Sequence, residues 1–224
     1  MTTPLLPAVE IETGPQPSWA VIWLHGLGAD GHDFASIVPD LELPASPGVR
    51  FVFPHAPVIP VTCNQGYEMP AWYDILHFDR LERHADEAGV RASREAIRAL
   101  IEREKQRGIA ADHIVIAGFS QGGAMAYTAG LTHPERLGGI IALSTYLPLP
   151  DMVAAEATAA NQHTPIFAAH GTQDPVVPYP LGDLARQAIA NRGNPLEWHS
   201  YPIPHAVYDP ETAAIGAWLR RLMA

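Results

Sequence analysis

A serine set between two glycines, Gly118-Phe119-Ser120-Gln121-Gly122, follows the β-branched run Ile114-Val115-Ile116 and precedes an alanine-rich stretch of helical character. The pattern describes a strand that turns sharply into a helix and lifts the serine hydroxyl onto the helix N-terminus, a nucleophile elbow. Glycine is needed on both sides because strand and helix approach too closely at such a turn to admit a Cβ. Gly-x-Ser-x-Gly alone arises by chance in about one chain in fifteen of this length. Its weight therefore comes from its setting and from partners further along the chain.

A serine hydroxyl is a weak nucleophile at neutral pH. It needs a histidine to take its proton and a carboxylate to fix the histidine tautomer and stabilise the imidazolium that forms. Asp174 follows the apolar run at Ile166, within His170-Gly171-Thr172-Gln173-Asp174-Pro175-Val176-Val177-Pro178, and His205 follows the run ending at Tyr201, within Pro202-Ile203-Pro204-His205. Serine, acid, histidine is a known chain order for such a triad. The chain has 11 histidines, so rivals must be weighed. His199 lies inside a strand and reads as a sheet-face residue; His25 and His170 stand beside glycine at strand ends, where a supporting hydrogen bond fits better than proton transfer. Asp183 and Asp209 are expected at helix starts, as caps.

Acyl transfer also requires donors aimed at the oxygen that becomes negative in the tetrahedral intermediate. The amide after the nucleophile, that of Gln121, supplies one. The glycine-rich turn His25-Gly26-Leu27-Gly28-Ala29-Asp30-Gly31 follows Val21-Ile22-Trp23-Leu24 and offers the Leu27 amide as the second. It is no phosphate loop, since it lacks both the Gly-Lys-Ser/Thr ending and the Gly-x-Gly-x-x-Gly run. His25, Asp30, His32 and Asp33 are metal-ligand types in a short stretch, but His32 and Asp33 are expected to open a helix and no His-x-x-x-His or cysteine cluster supports them. Neither a metal nor a cofactor is expected.

The elements that must position these groups alternate. Strands are expected at 19–24, 49–53, 113–117, 139–143, 165–169 and 196–201, with a further one at 9–12, and helices at 92–107, 124–131, 181–191 and 212–222. That order implies an α/β fold: a mostly parallel central sheet with helices on both faces. About twenty residues with little periodicity run from Phe53 through Pro54, Pro57, Pro60 and Pro70 to Trp72-Tyr73-Asp74, a length at which loops are commonly functional. Only a modest excursion, 147–164, separates two later strands, so the site should be open, with no separate lid domain.

The bulk composition narrows the partners. A chain of 224 residues, 47% hydrophobic, buries a large core and is expected to form one domain over 1–224. A net charge of -10 without a Lys/Arg block disfavours nucleic acid and anionic membranes. No stretch is long and apolar enough to span a bilayer, so no stable membrane insertion is expected. Cys63 is the single cysteine and reads as a loop or half-buried thiol. With it, an N-terminus whose prolines interrupt any signal-like segment suggests a reducing, cytoplasmic setting.

Five ordered blocks together resemble the carboxylesterase and acyl-protein thioesterase family of α/β-hydrolases. They are Leu24-His25-Gly26-Leu27-Gly28; Pro54-His55-Ala56-Pro57 continuing to Met69-Pro70-Ala71-Trp72-Tyr73-Asp74; Asp86-Glu87-Ala88-Gly89; Gly118 to Ala124; and Gly171 through Asp174-Pro175-Val176-Val177-Pro178. The resemblance implies an α/β-hydrolase fold, a triad of Ser120, Asp174 and His205, and an oxyanion hole of the Leu27 and Gln121 amides. It further implies that the loop around Trp72 borders the acyl site; Val177 of the last block is a second candidate substrate contact. Two departures stand out: Tyr73, where phenylalanine is common, and Ala206-Val207-Tyr208-Asp209 after the histidine. The function implied is a serine carboxylesterase acting on small ester or acyl substrates, thioesters and lysophospholipids included. Alternatives are an acyl-protein thioesterase, an acyltransferase with the same triad, or a non-catalytic acyl-binding protein on a hydrolase scaffold. A homodimer is compatible with the sequence.

Overall fold

The computed structural model describes residues 5–78 and 83–224. Residues 1–4, the start of the N-terminal segment weighed above as a leader, lie outside the described residues. In chain order the elements are β1 (Ala8–Glu12), β2 (Trp19–Leu24), α1 (Ile37–Asp40), β3 (Val49–Pro54), a hairpin of β4 (Val58–Val61) and β5 (Tyr67–Pro70), and a second pair, β6 (Ile75–Phe78) and β7 (Arg83–Ala85). Then come α2 (Glu87–Gln106), β8 (Ile114–Phe119), α3 (Gln121–Leu131), β9 (Gly139–Leu143), α4 (Pro150–Glu156), β10 (Ile166–Gly171), α5 (Tyr179–Arg192), β11 (Leu196–Tyr201) and α6 (Asp209–Leu222).

Seven strands make one sheet in the order β1-β3-β2-β8-β9-β10-β11. β1 runs antiparallel to β3, and the other pairings are parallel. The inner strands are continuous apolar runs because helices cover both of their faces. Alternate residues serve opposite layers. Ala20, Ile22 and Leu24 pack with Val90, Ile97 and Leu100 of α2 and Ala185 of α5, while Val21 and Trp23 pack with Ile37 and Leu41 near α1 and Ile215 and Trp218 of α6. The architecture is that of an α/β-hydrolase, and no separate lid domain stands over it among the described residues.

Several expectations are corrected. The aperiodic stretch after Phe53 contains the β4–β5 hairpin, whose residues are mostly exposed or half-buried and so leave no apolar alternation to read. Cys63 sits half-buried in the turn between those strands. The helices start earlier than the apolar periodicity does: α2 begins five residues before position 92, capped by Asp86, whose carboxylate accepts from the Ala88 and Gly89 amides. His32 and Asp33 lie in turns before α1 and do not open a helix. Asp183 lies inside α5, where it accepts from Arg186 and Gln187 at 2.7 Å each, and no side chain caps α5 or α6. Among the described residues no helix is long and apolar enough to cross a membrane.

Candidate active site

Ser120 lies between β8 and α3 with φ 55° and ψ -120°. A non-glycine residue in such a region stores about 1–3 kcal/mol, so its surroundings must hold it there. They do so through the backbone: Ser120 N–H donates to Leu143 O at 2.9 Å, and its carbonyl accepts from Thr145 Oγ1 at 2.6 Å and from Ala124 N at 3.1 Å. The flanking glycines answer the steric demand. A Cβ on Gly122 would stand 2.2 Å from Leu24 O, and one on Gly118 would stand 2.3 Å from the Gly122 carbonyl. Strand β8 neighbours β2, and the chain leaves β2 for β3 on one side and returns to β8 on the other. That reversal of strand order opens a crevice at the carboxyl ends.

The loop after β10 presents Asp174. One carboxylate oxygen, Oδ1, accepts from the Val176 and Val177 amides at 2.8 Å each, and the other, Oδ2, takes His205 Nδ1 at 2.6 Å. Burial opposes ionisation of this carboxyl, yet the His205 ring and the two amides hold it below the usual carboxylate range. An ionised carboxylate only accepts, so Nδ1 of His205 carries the hydrogen and Nε2 is left as the basic nitrogen. The His205 ring lies 4.6 Å, centroid to centroid, from that of Phe119, the residue before Ser120. His170 supports this loop from the end of β10. Its Nε2 donates to Val177 O at 2.8 Å, and burial lowers its pKa, keeping it neutral beside Asp174.

On the other side of Ser120 lies the turn after β2. A Cβ on Gly26 would come within 3.5 Å of Ser120 Cβ, so the Leu27 segment lies directly against the serine. Beside Leu27 the Gly28 amide donates to Pro70 O at 2.8 Å and the Ala29 amide to Gly26 O at 3.2 Å. Gln121 is the first residue of α3, so its N–H has no carbonyl one turn back to meet. His25 uses both ring nitrogens: Nδ1 donates to Gly26 O at 2.8 Å and Nε2 accepts from Ala56 N at 3.0 Å.

The structure brings Ser120, Asp174, His205, Leu27 and Gln121 to one rim of the sheet. Trp72 and Val177, the two candidate substrate contacts, are buried at 2% and 1% exposure. Trp72 packs behind the turn after β2, and Val177 spends its amide on Asp174 and its carbonyl on His170. Thr145 escaped the sequence reading; its one signal was its position just past β9. Asp30 and His32 gather with His55, not with His25 and Asp33; His32 Nδ1 and N–H both meet Asp30 Oδ1, and His55 Nδ1 accepts from Gly31 N. A second group, Glu102, His133 and Glu135, has the Lys105 ammonium bonded to both of its carboxylates.

Residues 7–222 match the family described as Phospholipase/Carboxylesterase. Acyl-protein thioesterase 1 of Neurospora crassa is 45% identical over 206 residues, which cover 88% of this chain and 82% of that one. Acyl-protein thioesterase 1 of Gibberella zeae is 39% identical over 214 residues, 92% of this chain and 91% of that one. Among solved structures, SOBER1 of Arabidopsis thaliana superposes with a TM-score of 0.86 at 29% identity, over 92% of this chain and 99% of that one.

Proposed function

The chain belongs to the phospholipase/carboxylesterase family of serine hydrolases, and we propose that it acts as an acyl-protein thioesterase with Ser120 as nucleophile. In this reading Ser120 Oγ attacks the thioester carbonyl while His205 Nε2 takes its proton. The developing oxyanion meets the Leu27 and Gln121 amides. The tetrahedral intermediate expels the cysteine thiolate, which leaves as the thiol with the proton from His205. Water, deprotonated by the same imidazole, then releases the fatty acid and restores Ser120. The observation that carries the reading is the 2.6 Å bond between His205 Nδ1 and Asp174 Oδ2, at the rim where the elbow serine stands.

Thioesters are favoured over the oxygen esters expected from sequence because relatives 39% and 45% identical over most of their length are named for thioester hydrolysis. A rim with no separate lid also suits an acyl chain presented on another protein. We read residues 1–224 as one domain, since the seven-stranded sheet includes both the first strand, β1, and the last, β11. Matched S-acyl and O-acyl substrates, from butyryl to palmitoyl, test the preference. The reading requires kcat/KM to favour the sulfur ester by about tenfold or more at the longer chains, and a uniform preference for short oxygen esters overturns it.

A further inference from the structure

We propose that the Gln121 side chain and the Trp72 indole form a positioning pair that sets the two oxyanion donors relative to each other. The proposal rests on the serine-hydrolase reading and goes beyond it by assigning work to side chains outside the triad. Gln121 is 2% exposed, and its amide is used at both ends: Oε1 accepts from Trp72 N at 2.8 Å and Nε2 donates to Tyr73 O at 2.8 Å. One donor and one acceptor on successive residues leave a single orientation of that amide.

Trp72 passes the constraint on. Its indole Nε1 donates to the His25 carbonyl at 2.9 Å, and its own carbonyl is pinned by Ser93 Oγ from α2. His25 is likewise immobilised at both ring nitrogens, its pKa lowered by burial. The path is continuous. It runs from the first turn of α3 through the Gln121 side chain to Trp72, then to the His25 carbonyl, two residues before the Leu27 amide. Gln121 thus offers one oxyanion donor from its backbone and fixes the other through its side chain. Every polar group on this path sits away from water, where a displaced partner is costly and alternative geometries are few.

Two conservative variants of the chain separate positioning from mere packing. Trp72→Phe keeps an aromatic body and removes the indole N–H; Gln121→Met keeps length and removes both amide bonds. Active sites are counted by fluorophosphonate labelling of Ser120, so that a partly unfolded sample lowers the count and not the rate per site. For each variant kcat and KM are measured on p-nitrophenyl butyrate, with Ki for a trifluoromethyl ketone, whose hemiketal oxygen occupies the oxyanion position. Positioning requires kcat per site to fall and Ki to rise together by about ten- to a hundredfold, with KM changed by less than about threefold. Either variant retaining kcat and Ki within about twofold of the parent overturns the proposal. Absence of label at Ser120 in the parent chain would instead remove the underlying serine-hydrolase reading.

Discussion

Asp174 spends both carboxylate oxygens inside the protein, one on two backbone amides and one on His205. An asparagine there keeps the first set of bonds through its carbonyl oxygen and turns its NH2 group toward His205 Nδ1. Two donors then face each other unless the imidazole moves its proton to Nε2, which removes the base. Asp174→Asn is therefore expected to leave the fold intact and to lower kcat per titrated site by about ten-thousandfold. A loss below about tenfold would assign the acid elsewhere. At this scale the sequence was informative wherever chemistry restricts the residue type. Serine between glycines, a carboxylate and a histidine each past a strand end, and the turn after β2 could all be found by spacing. The burial of Trp72 and Val177 could not be read that way, because spacing says that a residue is near the site and not how far its side chain is covered. The bonds of the Gln121 side chain were equally hidden, since they join segments far apart in the chain.

Strands with apolar side chains on both faces were legible nearly to the residue; β2 and β9 fall where the aliphatic runs fall. Helix starts were less so, because a first turn is fixed by its cap and tertiary contacts before apolar periodicity begins. The β4–β5 hairpin was missed, since prolines at 57, 60 and 70 and mostly exposed side chains resemble a loop. It is not idle: Pro70 O holds the Gly28 amide, and Asp74 beyond it accepts from Thr62 N at 2.7 Å. α6 carries a prediction of its own. Glu211 in its first turn is 1% exposed, its Oε1 is buried without a hydrogen-bond partner, and burial pushes its pKa up to about 8. The helix N-terminus favours a negative charge, but desolvation outweighs it here. In the unfolded chain the same carboxyl ionises near its ordinary value of 4.5. Between that value and about 8 the folded chain holds a proton that the unfolded chain has released, so this group's contribution to stability falls as pH rises. Urea unfolding of the parent and Glu211→Gln across pH 5 to 8 should show the variant gaining on the parent by up to about 1.4 kcal/mol per pH unit. Parallel profiles would contradict the raised pKa.

For the whole molecule, the order of strands decides where chemistry can happen. The sheet reverses direction of growth between β2 and β8, and the two loops that leave those strands carry the Leu27 amide and Ser120. Asp174 and His205 arrive from β10 and β11 on the same rim. The alternation of strands and helices was enough to anticipate a parallel sheet with this rim, whereas the proposed choice of sulfur over oxygen esters lay in no residue type or spacing and rests on the names of the relatives. The proposed function stands or falls on whether this rim activates one particular hydroxyl. Its most direct test is to treat the chain with a fluorophosphonate, measure the intact mass, map the adduct and follow turnover in parallel. One phosphonyl group per chain is expected, on Ser120, with activity lost in proportion to labelling. A folded chain that takes up no label, or that loses activity through an adduct on another residue while Ser120 remains free, contradicts it.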